Sequence, residues 1–174
     1  MLKKILVALD LLDSNEIVFQ NALELATATG ANLMFLHSLT GDQDGGPSMP
    51  VSGAWDYYAV AGEGAWARYQ ADWQTYTEQS LSMLRRYTER ATAAGLSAEF
   101  TQVERQPARA ICDLAHSWNA DVIVVGSHGR KGISELVIGS VSNYVMHHAH
   151  CSVLIVRLDK SATTAEPTAE SAAA

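Results

Sequence analysis

Basic residues, aromatic residues and cysteines are all scarce in this chain. There are 12 basic residues against 19 acidic ones, which gives a formal charge of −7, and aromatic residues make up only 7% of the 174 residues. This charge argues against a general nucleic-acid or anionic-membrane binder, because both partners require a basic surface. The only two cysteines are Cys112 and Cys151, and we interpret them as small buried side chains in a reducing cytosol.

Long apolar runs and the common ATPase loop are absent too. The apolar run Ile5–Leu9 is too short for the core of a signal peptide and is followed by Asp10. No stretch approaches the roughly 18 apolar residues that a membrane-spanning helix needs, so we expect a cytoplasmic protein. The sequence also lacks a Gly-x4-Gly-Lys-Ser/Thr loop, which in many ATPases supplies a lysine and a magnesium-binding hydroxyl.

Short apolar runs alternate with helical patterns along most of the chain. A hydrophobic content of 48% with 18% charged residues is typical of a globular domain. Five runs have the length and composition of buried strands: Ile5–Leu9, Leu33–Leu36, Ala98–Val103, Val122–Val125 and Val153–Val156. The stretches between them repeat apolar residues at helical spacing. This alternation predicts an α/β domain with a five-stranded, doubly wound parallel sheet.

Polar residues and a glycine follow three strands of this predicted sheet. Asp10 follows the first strand, His37-Ser38 follows the second and Gly126 ends the fourth. Ligands of doubly wound sheets bind outside the carboxyl ends of the strands, at the point where the strand order reverses. We therefore expect these three segments to surround one crevice.

The spacing of three glycines after the fourth strand indicates a phosphate site. Gly126-Ser-His-Gly129 is followed, after nine further residues, by Gly139-Ser140, where the last helix is predicted to begin. Glycines let the backbone approach a ligand closely, and N–H groups at a helix N-terminus bind phosphate oxygens. We expect Ser140 to be the N-cap of that helix.

This glycine spacing resembles the nucleotide-binding signature of the ATP-binding branch of the universal stress protein family. Lys3–Asp10 is similar to the opening strand of that family, Asn21–Ala26 and Ala31–His37 to its first helix and second strand, and Gly126–Arg157 to its closing half. The resemblance implies one domain over residues 1–158, a Rossmann-like three-layer sandwich of the adenine nucleotide alpha hydrolase-like type. It also implies ATP as the ligand, with Mg²⁺ or Mn²⁺ bound alongside it.

The resemblance further implies which residues would contact ATP. The phosphate-binding residues would be Gly126, Ser127, His128, Gly129, Arg130, Gly139, Ser140 and Val141. The adenine and ribose would lie against Ala8, Asp10, Ser38 and Val125, and Asp10 is also the candidate metal ligand. Four residues depart from the family pattern, which usually has a proline at Ala8, a Gly-Ser step at Leu11-Leu12 and a valine at Ser38. The phosphate end of the site is therefore better supported than the adenine end.

Two segments fall outside the resemblance. Residues from about 39 to 68 form an insertion with glycines early and aromatic residues later. We expect it to be a separable element that covers the crevice or binds a partner protein. Residues 159–174 are rich in Ala, Thr, Ser and Glu without periodicity, which predicts a disordered tail.

These features favour an ATP-binding, nucleotide-responsive stress or regulatory protein over a fast enzyme, because no carboxylate pair or activated nucleophile forms a recognisable motif. A slow ATPase or a self-phosphorylating enzyme stays open as an alternative, as does another ligand such as a cyclic nucleotide. We expect no nucleic-acid or membrane partner. We expect a homodimer through Ser152–Arg157, an apolar strand that should lie at a sheet edge and carries no proline.

Overall fold

The sheet predicted from the sequence is present in the described part of the chain. The computed structural model describes residues 1–12, 14–41, 46–49, 62–127 and 138–157. In chain order the elements are β1 (Lys4–Ala8), α1 (Asn15–Thr29), β2 (Asn32–Leu39), α2 (Gly62–Ala93), β3 (Ala98–Glu104), α3 (Pro107–Trp118), β4 (Val122–Gly126), α4 (Ser140–His148) and β5 (Ser152–Val156). Neighbouring strands all pair in parallel, in the order β3-β2-β1-β4-β5. The prediction of a five-stranded, doubly wound parallel sheet is confirmed.

The central strand β1 is buried on both faces, which gives the domain three layers. Ile5, Leu6 and Val7 are fully buried. Because successive side chains of a strand point to opposite faces, Ile5 and Val7 pack in one hydrophobic cluster and Leu6 packs in the other. The first cluster contains residues of α1 and α2, and the second contains residues of α3 and α4.

Phe19 of α1 lies at the aromatic centre of the first cluster. It is fully buried, and its ring centroid is 4.8 Å from that of Tyr87 on α2 and 5.9 Å from that of Phe35 on β2. The guanidinium of Arg90 on α2 lies 4.4 Å from the centroid of the Phe19 ring and donates two hydrogen bonds of 2.7 Å to Glu16 on α1. A cation–π contact and an ion pair therefore join α1 to α2 where the core meets solvent.

Two helix boundaries follow from local signals in the sequence. α1 ends at Gly30, which has a left-handed φ of 69° and donates its N–H to the C=O of Ala26. Glycine is favoured there because it adopts positive φ without a Cβ clash. Pro107 is the first residue of α3, where its missing N–H has no intrahelical partner to lose.

Helix α2 begins earlier than its apolar stripe indicates. That stripe predicts a helix around Leu81–Ala94, whereas α2 runs from Gly62 to Ala93 and includes Trp66, which the sequence assigns to the insertion. Residues 42–45 and 50–61 of the predicted insertion lie outside the described residues, as does the predicted tail. That the insertion is separable from the domain stays a prediction.

Strand β5 lies at one edge of the sheet, as its sequence predicts. In the described sheet its neighbour is β4. Leu154 is 37% exposed, and Val153 and Ile155 are partly buried. The edge position is confirmed, and the dimer expected from it stays a prediction.

Two expectations from composition concern the membrane and the cysteines. None of the helices in the described part of the chain is both long and apolar enough to span a bilayer; the cytoplasmic location itself stays a prediction. Cys112 and Cys151 are free, partly buried thiols, and burial raises the pKa of both.

Candidate functional site

A cavity opens between β1 and β4, where the strand order reverses. Within the sheet, β2 and β3 lie on one side of β1, and β4 and β5 lie on its other side. The cavity has a volume of about 140 Å³. It is lined by the carboxyl ends of β1, β2 and β4 and by the residues that follow β1, together with parts of α1, α3 and α4. Such a reversal is the usual ligand position in doubly wound sheets.

The structure brings together most of the residues that the sequence predicts for this site. The predicted residues that line the cavity are Ala8, Asp10, Ser38, Val125, Gly126, Gly139, Ser140 and Val141. Ser127 is buried beside them, with 6% exposure. His128, Gly129 and Arg130 lie outside the described residues, so their phosphate contacts stay predictions.

The N-terminus of α4 borders the cavity, and its cap differs from the prediction. Gly139 is the N-cap and Ser140 is the first helical residue, with no side-chain hydrogen bond at the cap. The prediction that Ser140 caps the helix was therefore wrong. The reason is local geometry: Gly139 has an extended ψ of 156°, so helical backbone begins one residue later. The first N–H groups of a helix have no intrahelical acceptor and carry partial positive charge, which favours an anion at this end of the cavity.

Gly139 matters at the cavity because it has no side chain, and its backbone conformation is an ordinary one. Its φ of −58° is open to any residue. What glycine provides at the cavity wall is space for a ligand to approach the backbone.

Hydrogen bonds to Ser127 join the end of β4 to the start of α4. The C=O of Ser127 accepts the N–H of Gly139 at 2.6 Å, and the N–H of Ser127 donates to the C=O of Val156 at 2.8 Å. The hydroxyl of Ser142, which is 2% exposed, lies 3.0 Å from the C=O of Gly139 and 3.4 Å from that of Ser127. The two glycine-containing segments are thus held side by side at the cavity.

Asp10 stands two residues beyond β1 in a turn that leads into α1. One oxygen of its carboxylate accepts the N–H of Leu12 at 2.9 Å, the hydrogen bond of an Asx turn. The side chain of Asn15 bonds both backbone groups of Asp10. The carboxylate at the cavity wall is therefore attached to a segment whose direction is fixed.

His37 and Ser38 of β2 line the cavity, and each has one side-chain atom hydrogen-bonded to a backbone C=O. Nδ1 of His37 lies 2.9 Å from the C=O of Leu9, so this nitrogen carries a proton and donates. The hydroxyl of Ser38 donates to the C=O of Arg105. Its oxygen still has lone pairs, so Ser38 can act toward a ligand as an acceptor.

Asp10 carries the one carboxylate among the described residues that line the cavity, and none of these residues is a lysine or an arginine. Among these described residues, attraction for a phosphate would therefore come from backbone N–H groups and the dipole of α4. The described residues include no group of three His, Cys, Asp or Glu that could hold a metal ion. Asp10 suits Mg²⁺ only in combination with phosphate oxygens, which is how Mg²⁺ usually binds with nucleotides.

Several residues of the cavity wall were missed from the sequence, above all Asn15. It is 5% exposed and lines the cavity together with Val18, Pro107, Ile111 and Ser142. A signal was available for Asn15, because it precedes Val18 by three residues on the apolar face of α1. A polar side chain on such a face must find buried partners.

These features define a Rossmann-like α/β domain with a crevice at the reversal of its strand order. The chain belongs to the universal stress protein family, whose model, described as "Universal stress protein family", matches residues 1–157. It is 32% identical over 154 residues to the universal stress protein Sll1388 of Synechocystis. The aligned residues make up 88% of this chain and 97% of that relative.

Two solved structures share the fold. The hypothetical protein MJ0577 superposes with a TM-score of 0.70 at 20% identity, covering 92% of this chain and 99% of that one. A universal stress protein solved in complex with cAMP superposes with a TM-score of 0.59 at 26% identity, covering 89% of this chain and 97% of that one.

Proposed function

We propose that this protein binds ATP in the cavity between β1 and β4 and acts as a nucleotide-responsive regulatory module in the cytoplasm. The observation that carries the proposal is the cavity itself. The carboxyl ends of β1, β2 and β4 and the N-terminus of α4 meet there, which combines an apolar wall with a cluster of backbone donors. These are the two environments that a nucleotide requires.

The phosphates would lie at the α4 end of the cavity. Gly126, Gly139, Ser140 and Val141 line this end, and it carries the partial positive charge of the helix. Ser127 would fix the backbone beneath them, and His128, Gly129 and Arg130 would complete the phosphate contacts. Mg²⁺ or Mn²⁺ would accompany the phosphates, with Asp10 as its protein ligand.

The adenine and ribose would lie at the β1 and β2 end of the cavity. Ala8 and Val125 offer apolar contact, Ser38 offers an acceptor for an amino group, and the Asp10 carboxylate can accept hydrogen bonds from ribose hydroxyls. The relative that was solved with cAMP supports an adenine nucleotide as the ligand class.

A regulatory role is favoured over fast catalysis by what surrounds the cavity. Among the described residues that line it, Asp10 is the one carboxylate, so no carboxylate pair is available there for acid–base chemistry. We therefore expect ATP to remain largely intact while bound. A slow ATPase or self-phosphorylation activity would appear as release of phosphate or labelling of the protein by [γ-³²P]ATP.

The experiment that tests the proposal is a calorimetric titration of ATP with Mg²⁺ into wild type and Gly139→Val. Wild type should bind with a micromolar Kd, about 7–8 kcal/mol. Valine accepts the φ and ψ of Gly139 and keeps the N–H that donates to Ser127. Its side chain would occupy the space where phosphate approaches the backbone, so affinity should fall at least tenfold without loss of folding.

Gly64→Val is a matched control. A Cβ at Gly64 on α2 would meet nothing within 4 Å, and this position does not line the cavity. The control should bind ATP as wild type does. Equal ATP affinity in a folded Gly139→Val variant would show that the phosphate is not at this wall.

A cyclic nucleotide is a second candidate ligand, favoured by the relative solved with cAMP. The same titration with cAMP in place of ATP separates the two. Tighter binding of cAMP than of ATP would transfer the proposal to the cyclic ligand, since cAMP has no β- or γ-phosphate for the α4 end of the cavity.

We also propose that two copies pair through β5. This edge strand is apolar, with Leu154 37% exposed and with Val153 and Ile155 partly buried. Unpaired N–H and C=O groups at such an edge favour addition of another strand. An antiparallel pair of β5 strands about a two-fold axis would satisfy these groups in both copies.

A further inference from the structure

Asn15 is a buried polar residue at the cavity whose side chain does not serve its own helix. It is the first residue of α1, is 5% exposed and lines the cavity. The N-cap of α1 is Ser14, and no side-chain hydrogen bond is made at that cap. The carboxamide of Asn15 instead turns back toward the residues that follow β1.

The carboxamide holds the backbone of Asp10 at two points. Its Oδ1 accepts the N–H of Asp10 at 3.2 Å, and its Nδ2 donates to the C=O of the same residue. Nδ2 also lies 3.1 Å from the sulfur of Met83 on α2. The N–H belongs to the peptide plane before the Asp10 Cα and the C=O belongs to the plane after it. Holding both planes restricts φ and ψ of Asp10 and thereby fixes the direction of its Cα–Cβ bond.

The remaining freedom of Asp10 is restricted by its own turn and by its neighbour. The N–H of Leu12 binds one carboxylate oxygen at 2.9 Å, which restricts the side-chain torsions. The preceding residue, Leu9, donates its N–H to the C=O of Leu36 at 2.9 Å and accepts from Nδ1 of His37, also at 2.9 Å. The Asp10 carboxylate is therefore oriented before any ligand arrives.

We propose that Asn15 is a positioning residue that makes the cavity select ribonucleotides over their deoxy analogues. The inference rests on the proposed function, because it takes the ligand to be a nucleotide whose sugar lies at Asp10. A carboxylate is an acceptor that can receive hydrogen bonds from two ribose hydroxyls. Those bonds contribute most when the acceptor does not have to be ordered on binding. Without Asn15 the carboxylate stays at the cavity, but φ and ψ of Asp10 lose the restraint that the two hydrogen bonds of the carboxamide provide.

The test compares ATP with 2′,3′-dideoxy-ATP, which lacks both hydroxyls. For wild type, the Kd of the dideoxy nucleotide should exceed that of ATP at least tenfold, because hydrogen bonds to a charged group are stronger than those between neutral groups. Asn15→Leu has a similar volume without the two hydrogen bonds. It should reduce this ratio to about threefold or less by weakening ATP, with the Kd of the dideoxy nucleotide changed less than about twofold.

Two further variants isolate the carboxamide. Asn15→Asp keeps the acceptor for the Asp10 N–H and loses the donor to the Asp10 C=O, so it should also lower the ratio, and it serves as the test should Asn15→Leu fail to fold. Asn21→Leu is the same substitution on the exposed face of the same helix, where the side chain bonds only the C=O of Ile17, and it should keep the wild-type ratio. The single substitution Asp10→Asn should lower the ratio of the two Kd values. The double variant, Asp10→Asn with Asn15→Asp, should lower it no further.

The outcomes separate this inference from the proposed function. If ATP and dideoxy-ATP lose affinity equally in the Asn15 variants, or if the ratio is unchanged, Asn15 has only a structural role and the inference is overturned while nucleotide binding stands. If wild type binds both nucleotides equally well, the inference is overturned in the same way. If wild type binds neither nucleotide, the proposed function and the inference fall together.

Discussion

The ion pair between Glu16 and Arg90 should give the protein a pH-dependent part of its stability, and Glu16→Gln isolates it. Two hydrogen bonds of 2.7 Å from Arg90, followed by a bond of 2.8 Å from Gln20, lower the pKa of Glu16 from 4.5 to about 2. Glutamine keeps the shape of the side chain and removes the charge. Arg90 can retain its contact with the Phe19 ring in the variant.

The magnitude follows from the pKa of Glu16 and from the exposure of the pair. A pKa lowered from 4.5 to about 2 corresponds at face value to about 3 kcal/mol. The side chains of Arg90 and Glu16 are 39% and 47% exposed, so water screens their interaction and about 1 kcal/mol is the realistic contribution. Because the pKa is lower in the folded state than in the unfolded state, this stability is fully present above about pH 5 and is lost as the pH falls toward about 2.

Urea denaturation from pH 7 down to pH 2.5 measures this contribution directly. The free energy of unfolding of Glu16→Gln should lie about 1 kcal/mol below that of wild type at pH 7, and the two should converge at low pH. Asp113→Asn is a matched control, because its pair with Arg105 has a single 2.6 Å contact between side chains that are 60% and 61% exposed. It should cost about 0.5 kcal/mol or less. A Glu16→Gln difference that stays constant from pH 7 to pH 2.5, or that equals the Asp113→Asn difference, would refute the reasoning.

Two further predictions concern the core and the sheet edge. Phe19→Ala should lower the free energy of unfolding by about 3–5 kcal/mol in urea denaturation, because Phe19 is fully buried between Phe35 and Tyr87; a loss below about 1 kcal/mol would contradict its central position. Analytical ultracentrifugation at micromolar protein should give twice the 18.8 kDa chain mass for wild type and the single-chain mass for the combined Val153→Lys and Ile155→Lys variant, since lysines at an edge oppose strand pairing. A wild-type mass near 18.8 kDa would contradict the proposed dimer.

The sheet could be predicted from the sequence because each of its signals is local. Runs such as Ile5–Leu9 and Val122–Val125 are apolar on both faces, as strands covered by helices must be. Short right-handed crossovers leave few topologies for alternating strands and helices, although the order β3-β2-β1-β4-β5 itself comes from the structure. The convergence of Asp10, Ser38 and Gly126 then follows from the topology, whatever their own partners are.

The parts that could not be predicted depend on contacts between distant segments. Nothing near Ser38 shows that its hydroxyl donates to the C=O of Arg105, 67 residues away. Ser140 is a favoured cap residue by type, but the hydrogen bond from Gly139 to Ser127 accompanies an extended Gly139 and a later helix start. The role of Asn15 likewise depends on where β1 ends in space. Side-chain type indicates that a polar group needs a partner, and only the tertiary fold shows which one.

The hydrogen bonds that join Ser127 to Gly139 and Ser142 hold the end of β4 and the start of α4 together. Their partners are backbone groups and the buried Ser142 hydroxyl. The entropy cost of joining two fixed points of a chain changes slowly with the number of residues between them. We therefore expect a chain with a stretch of different length or charge in place of residues 128–137 to keep the sheet and α4. A change of phosphate preference could then evolve, or be engineered, by exchanging one short stretch of chain.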